Sequence, residues 1–174
     1  RHYRTGEVIP DSLIARLEAA STHNQGFTTT ELVGAALLDL QWGKLNPQSD
    51  VDVVEFEKNV AESLGMPQEV QFRYRSPYFR HIFGSDGYAS GYYTYLWAEV
   101  LDTDGFELFK EKGIFDPETA ASFKKNVLEA GGSEDPMQLY VKFRGREPKV
   151  DALLRNRGLL EDTKNGNLNI PGGK

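Results

Sequence analysis

A mainly helical fold follows from three features of the sequence. Apolar residues recur at three- and four-residue spacing, and capping residues, glycine or proline bracket those runs. No segment is long or hydrophobic enough to suggest a strand-rich core, and no internal repeat is visible. The exception is an irregular loop around residues 71–88. The 174 residues suit one domain, or part of a larger one, and suffice to bury a core.

Residues 1–10 are polar and carry Gly6 and Pro10, which break any helix. Asp11 is expected to cap an amphipathic helix with Leu13, Ile14 and Leu17 along one side. His23 to Gly26 reads as a turn, and His23 in it has a surface or structural role. Thr28 to Thr30 with Glu31 signals a helix start. The run Leu32 to Leu45 that follows is apolar almost all round, as a buried central helix is. Pro47 to Asp52 is a loop. Val53 to Leu64 predicts an amphipathic helix with Val53, Val54, Val60 and Leu64 inward. Glu55 and Glu57 lie two apart, so on a helix they diverge and belong to a solvated face.

Gln71 to Arg80 interleaves Phe72, Tyr74, Tyr78 and Phe79 with Arg73, Arg75 and Arg80. Basic residues between aromatics suit single-stranded nucleic acid, but Pro77 interrupts the run and the whole chain is acidic. Further on, Asp102, Asp104, Gly105 and Glu111 come one ligand short of a calcium-binding loop. Val100 stands where the first carboxylate is needed, so no calcium site is expected. Asp116-Pro117-Glu118 starts a helix carrying Ala120, Phe123, Val127 and Leu128 inward and ending at Gly131-Gly132. Ser133 or Asp135 begins the next, which packs Met137, Leu139, Tyr140 and Phe143. Pro148 opens a last helix with Val150, Leu153 and Leu154, closed by Gly158. Residues 160–174 read as a polar tail.

Composition excludes several classes. The chain has 26 acidic against 20 basic residues, which argues against nucleic acid and against an anionic membrane surface. It has no cysteine, hence no disulfide framework and no thiolate chemistry. No apolar run approaches the roughly 20 residues that span a bilayer.

One stretch stands out, from His81 through Gly84, Gly87, Tyr88, Gly91, Tyr92, Tyr93, Tyr95 and Trp97 to Glu99. Glycine tolerates backbone angles that other residues avoid, so the part before Tyr88 reads as a loop. After it the pattern turns helical. At about 100° per residue, Tyr88, Tyr92 and Tyr95 fall within an arc of roughly 60°, joined by Glu99. Tyr93, Trp97, Val100 and Leu101 take the other side, as a buried face would. The row of phenols fits two roles: a half-buried face that packs, or the lining of a cleft whose hydroxyls donate to a peptide carbonyl or a developing oxyanion.

The motifs His81-Ile-Phe-Gly and Gly87-Tyr88-Ala-Ser-Gly-Tyr92-Tyr93-Thr-Tyr95-Leu-Trp97 resemble the C-terminal signature of the thimet oligopeptidase family of zinc peptidases. Its bacterial peptidyl-dipeptidase and oligopeptidase A branch is the nearer match. The similarity takes in Phe27 to Trp42, Arg73 to Phe79, Gly131 to Asp135, Phe143 to Pro148 and Arg157 to Leu159, and so spans residues 1–159. It implies the multi-helical C-terminal portion of a zincin-type oligopeptidase domain. In the family HExxH and a glutamate on the next helix hold zinc, which polarises the scissile carbonyl and activates water. None of His2, His23 and His81 opens an HExxH. The resemblance therefore implies the part of the catalytic domain that follows the metal site, with zinc in the intact enzyme and none bound by this chain, which alone is inactive.

By the same resemblance Tyr95 matches the tyrosine that donates to the oxyanion, while His81, Tyr88 and Tyr92 match residues that hold the substrate. The His81 to Tyr88 interval is one residue longer than is typical of the peptidyl-dipeptidase sequences. The expected substrates are short peptides cleaved by a peptidyl-dipeptidase, releasing C-terminal dipeptides, in the cytoplasm or else the periplasm. Self-association through an uncovered apolar face is expected of the chain alone. The alternative is a non-catalytic helical module that grips a peptide or partner.

Overall fold

A computed structural model describes residues 1–160, so the expected polar tail lies, from residue 161 on, outside the described residues. These residues form helices and turns, with no strand among them. In chain order the helices are α1 (Asp11–Ala20), α2 (Gln25–Trp42), α3 (Val53–Ser63), α4 (Arg80–Phe83), α5 (Thr94–Lys112), α6 (Pro117–Phe123), α7 (Pro136–Arg144) and α8 (Asp151–Asn156). Single 3-10 turns at Ser76–Tyr78 and Asp86–Tyr88 lie between α3 and α5, and a π-helical turn, Lys124–Glu129, continues α6. The fold is mainly helical, with the irregular segment where the sequence puts it. None of the described helices is long and apolar enough to cross a membrane. The chain divides into two units: residues 24–99, and residues 1–23 together with the chain from Val100 onward.

The first unit is built on α2. This helix starts at Gln25, earlier than the threonines suggest, because Asn24 turns the chain in the left-handed region at φ 58°. The Thr28 and Thr30 hydroxyls donate back to the carbonyls of Asn24 and Gly26, as threonines inside a helix do. Ala35, Ala36, Leu38 and Asp39 are buried, as a central helix requires. Ala35 and Ala36 pack with Phe79, Ile82 and Tyr92, while Leu38 packs with Val60 and Phe72. Each fully buried side chain of the size of Leu38 or Phe79 stabilises the unit by about 1.5–3 kcal/mol.

Helix α3 begins where Asp52 accepts the amides of Val54 and Glu55 at 2.9 and 3.0 Å. Val60 is inward as expected, but Val54 is exposed and Phe56 packs inward instead. The expectation for Glu57 is overturned. It is 3% exposed and accepts hydrogen bonds from the Arg75 guanidinium and the Ser76 amide. Ser76 opens the 3-10 turn, which offers its amide no acceptor, and a buried backbone N–H needs one. Glu57 supplies it, and Ser76 in turn accepts from the Trp42 indole at 2.8 Å.

In the second unit, α1 departs from expectation. Pro10 occupies the cap position without a side-chain bond, and Asp11 is the first helical residue, where its charge suits the helix dipole. Leu13, Ile14 and Leu17 are all exposed. Asp116 and Asp135 behave as local rules dictate, accepting the amides of Thr119 at 2.7 Å and Gln138 at 2.9 Å, each ahead of a proline. After α6 the π turn widens the backbone, so the i+4 register fails and Leu128 is exposed while Phe123 and Val127 are half-buried. Helix α8 starts at Asp151 rather than at Pro148 and ends before Gly158, whose φ is 65°.

The calcium-like stretch contains a different device. Asp104 is 2% exposed, and Arg146 grips its carboxylate at 2.7 and 3.0 Å. The Tyr140 hydroxyl donates to it at 2.6 Å, and Arg144, 3.6 Å away, also bonds the Asp104 carbonyl and Glu111. Burial pushes the Asp104 carboxyl up, but the hydrogen bonds from Arg146 and Tyr140 outweigh it and hold the group below its usual range. Phe109, Phe123 and Phe143 meet edge to face or tilted beside this cluster, around a cavity of about 560 Å³ that Leu101 and Val127 also line.

Candidate active site

The tyrosine row does not lie on one helix. Helix α5 starts at Thr94, so of the three phenols only Tyr95 is helical. Tyr88 ends the 3-10 turn and Tyr92 sits in the turn that follows. Ser90 in that turn has φ 56°, which no helix contains. The expected buried side is also corrected: Tyr93 and Trp97 are 47% and 45% exposed, and Val100 is buried.

The turn nonetheless gathers every candidate side chain around one imidazole. His81, on α4, has its ring centroid 5.1 Å from Tyr88, 5.4 Å from Tyr92 and 5.7 Å from Tyr95. Tyr92 and Tyr95 are 5.2 Å apart. The Tyr95 hydroxyl and His81 Nε2 are 3.2 Å apart, within hydrogen-bonding distance. Tyr88, Tyr95 and His81 are exposed, whereas Tyr92 is buried and forms the floor of the cluster.

Burial and the neighbouring Tyr74 hydroxyl push the Tyr92 phenol up to about 12, so it stays protonated across the physiological range. Tyr74 accepts from Arg73 Nε at 3.2 Å and lies under its guanidinium, while Arg73 reaches Glu31 at 3.9 Å. Arg73 thus braces the floor from behind, and Arg75 is tied to Glu57. Phe79 meets Tyr92 edge-on at 5.1 Å and lies tilted against Tyr74 at 4.8 Å.

The residue that sequence reasoning missed is Asp39. Its two oxygens accept the amides of Ser90 and Tyr92, each at 2.9 Å. The signal for it is an acidic residue inside the otherwise apolar stretch Leu32 to Leu40. Gly43, at the end of α2, matters for the same turn: a Cβ there would lie 2.0 Å from the Ser90 hydroxyl.

Chemically, the cluster offers neutral O–H donors and an imidazole on an open shelf. A cavity of about 460 Å³ elsewhere in the unit is lined by Val54, Met66, Phe72 and Arg75, without the tyrosines. The described residues do not fit a zinc site, since no three histidines, aspartates or glutamates converge among them.

The model of "Peptidase family M3" matches residues 1–159. The chain is similar to the dipeptidyl carboxypeptidase of Escherichia coli (strain K12), at 43% identity over 162 residues, covering 91% of this chain and 24% of that protein. It is similar to oligopeptidase A of Salmonella typhimurium, at 38% over 159 residues, 91% of this chain and 23% of that protein. Saccharolysin of Saccharomyces cerevisiae is 31% identical over 161 residues, 91% of this chain and 22% of that protein. The chain spans about a quarter of the length of the curated relatives it matches.

Proposed function

The chain belongs to peptidase family M3, and from that premise we propose that it forms the C-terminal part of the catalytic domain of a zinc peptidase, presenting His81, Tyr88, Tyr92 and Tyr95 to a short peptide. M3 peptidases are zinc-dependent; in this reading the metal ligands belong to a part of the enzyme outside this chain. The wall contributed here binds and orients. Tyr88 and His81 hold the peptide backbone or its end group, and Tyr92 closes the floor beneath them.

Tyr95 has the reactive part. As a neutral phenol it donates its proton-bearing hydroxyl to the oxygen of the scissile carbonyl, and the bond strengthens as negative charge develops there. His81 Nε2, 3.2 Å away, keeps that hydroxyl oriented before substrate arrives. This contact inside the four-ring cluster is the observation that carries the proposal. Release of C-terminal dipeptides is the favoured outcome, since identity to the Escherichia coli dipeptidyl carboxypeptidase, 43%, exceeds identity to Salmonella oligopeptidase A, 38%.

The test is Tyr95→Phe in the complete enzyme, which keeps the ring and removes the donor. Loss of one oxyanion donor costs roughly 100- to 1000-fold in kcat, or about 2.7–4 kcal/mol. KM moves much less, because the bond matures in the transition state. Tyr93→Phe, on an exposed ring outside the cluster, leaves kcat unchanged. Near-normal turnover for Tyr95→Phe overturns the assignment and leaves the cluster a packing or peptide-gripping surface.

A further inference from the structure

Asp39 is an anomaly within α2. Aspartate is a poor residue for a helix interior, and a buried carboxylate is tolerated only when its lone pairs are well used. Here both oxygens are spent on backbone amides 51 and 53 residues away, Ser90 and Tyr92, at 2.9 Å each. The turn they hold contains Ser90 at φ 56°, a conformation that costs free energy and persists where the surroundings over-determine it.

What that turn controls is the start of α5. The Thr94 amide bonds the Gly91 carbonyl at 3.1 Å, and the Tyr95 amide bonds the Tyr92 carbonyl at 3.4 Å. The first turn of the helix that carries Tyr95 therefore grows from the Gly91–Tyr92 peptide, whose amide Asp39 grips, and from the peptide that follows it. His81 is referenced to the same helix, since Phe79 and Ile82 flank it in sequence and pack on Ala35 and Ala36 of α2. Ala35, Ala36 and Asp39 sit within two turns of one another. One short section of α2 thus holds both ends of the Tyr95–His81 pair.

We propose that Asp39 is a positioning residue of the site: its carboxylate sets the Ser90–Tyr92 turn and thereby the distance between the Tyr95 hydroxyl and His81. The kinetic consequence rests on the peptidase reading; the geometric one does not.

The experiment has two arms. In the chain itself, NMR measures amide exchange at Ser90 and Tyr92 and the nuclear Overhauser contact between the Tyr95 and His81 rings. Wild type is expected to protect both amides, and Asp39→Asn, which keeps the shape and one acceptor, to speed exchange of at least one about tenfold and weaken the ring contact. Unprotected amides in wild type overturn the proposal without any substitution, and so does a ring contact unchanged in Asp39→Asn.

In the complete enzyme, Asp39→Asn is expected to lower kcat roughly 10- to 100-fold, the scale of a small misplacement, with KM little changed. In a Tyr95→Phe background the same substitution should cost almost nothing further, because it acts through that hydroxyl. Additive losses indicate a merely structural residue and overturn the proposal. An inactive wild-type enzyme overturns the peptidase reading instead, and the NMR arm then decides the role of Asp39 alone.

Discussion

Replacing Tyr140 by phenylalanine removes one oxygen from the most polar part of an apolar core. In the wild-type protein that oxygen donates to Asp104 at 2.6 Å, and both residues are buried. A hydrogen bond to a charged group contributes about 1.5–3 kcal/mol. The variant does not strand the carboxylate, because Arg146 still grips both oxygens at 2.7 and 3.0 Å. The loss should therefore stay near 2 kcal/mol rather than reach the roughly 3–5 kcal/mol of a broken buried ion pair. For a chain of this size that lowers Tm by about 4–8 °C.

The pH dependence gives a second readout. The folded Asp104 carboxyl lies below its unfolded value, so its stabilisation is present above the unfolded pKa near 4 and is lost as pH falls through the folded one. Tyr140 is one of the groups that lower it, so Tyr140→Phe moves this acid limb toward higher pH. Thermal melts from pH 3 to pH 7 measure both effects. A Tm within a degree of wild type, or an unmoved acid limb, refutes the reasoning.

Gly43→Ala forces the Ser90 hydroxyl to turn away, and should cost about 1–3 kcal/mol in urea unfolding. Ser90→Gly in the same background removes the clash and suits φ 56°, so it should restore most of the loss. Glu57→Gln keeps an acceptor for the Ser76 amide but removes the charge beside Arg75, whose side chain is 40% exposed; equilibrium unfolding should show a loss of about 1–2 kcal/mol. Calorimetric titration of the chain with zinc should show no tight stoichiometric site, since a catalytic site needs about three converging protein ligands. Sedimentation should show the chain associating as concentration rises, driven by exposed Leu13, Leu17, Phe115 and Leu128.

Some of this protein is written in contiguous residues. Asp52, Asp116 and Asp135 each precede a helix whose amides they accept, and a cap needs only its next three residues. The apolar run of α2 reads as buried because it is apolar almost all round. Family membership rests on motifs that stand in order along the chain.

What sequence could not supply are contacts between distant residues. Glu57 and Glu55 look alike on a helical wheel, yet one is buried because residues 75 and 76 return to it. The sequence around Asp104 argues against calcium but names no partner for that carboxylate, and two arginines and a tyrosine reach it from 36 to 42 residues away. The spacing of the tyrosines allows all of them on one helix. The fold breaks that helix at Ser90 to Tyr92, where Ser90 turns at φ 56° and the buried Asp39 carboxylate accepts the amides of Ser90 and Tyr92. Spacing thus identified Tyr88, Tyr92 and Tyr95 as neighbours. Only the tertiary structure decided how they meet His81, because a hydrogen bond takes its strength from distance in space and not from separation along the chain.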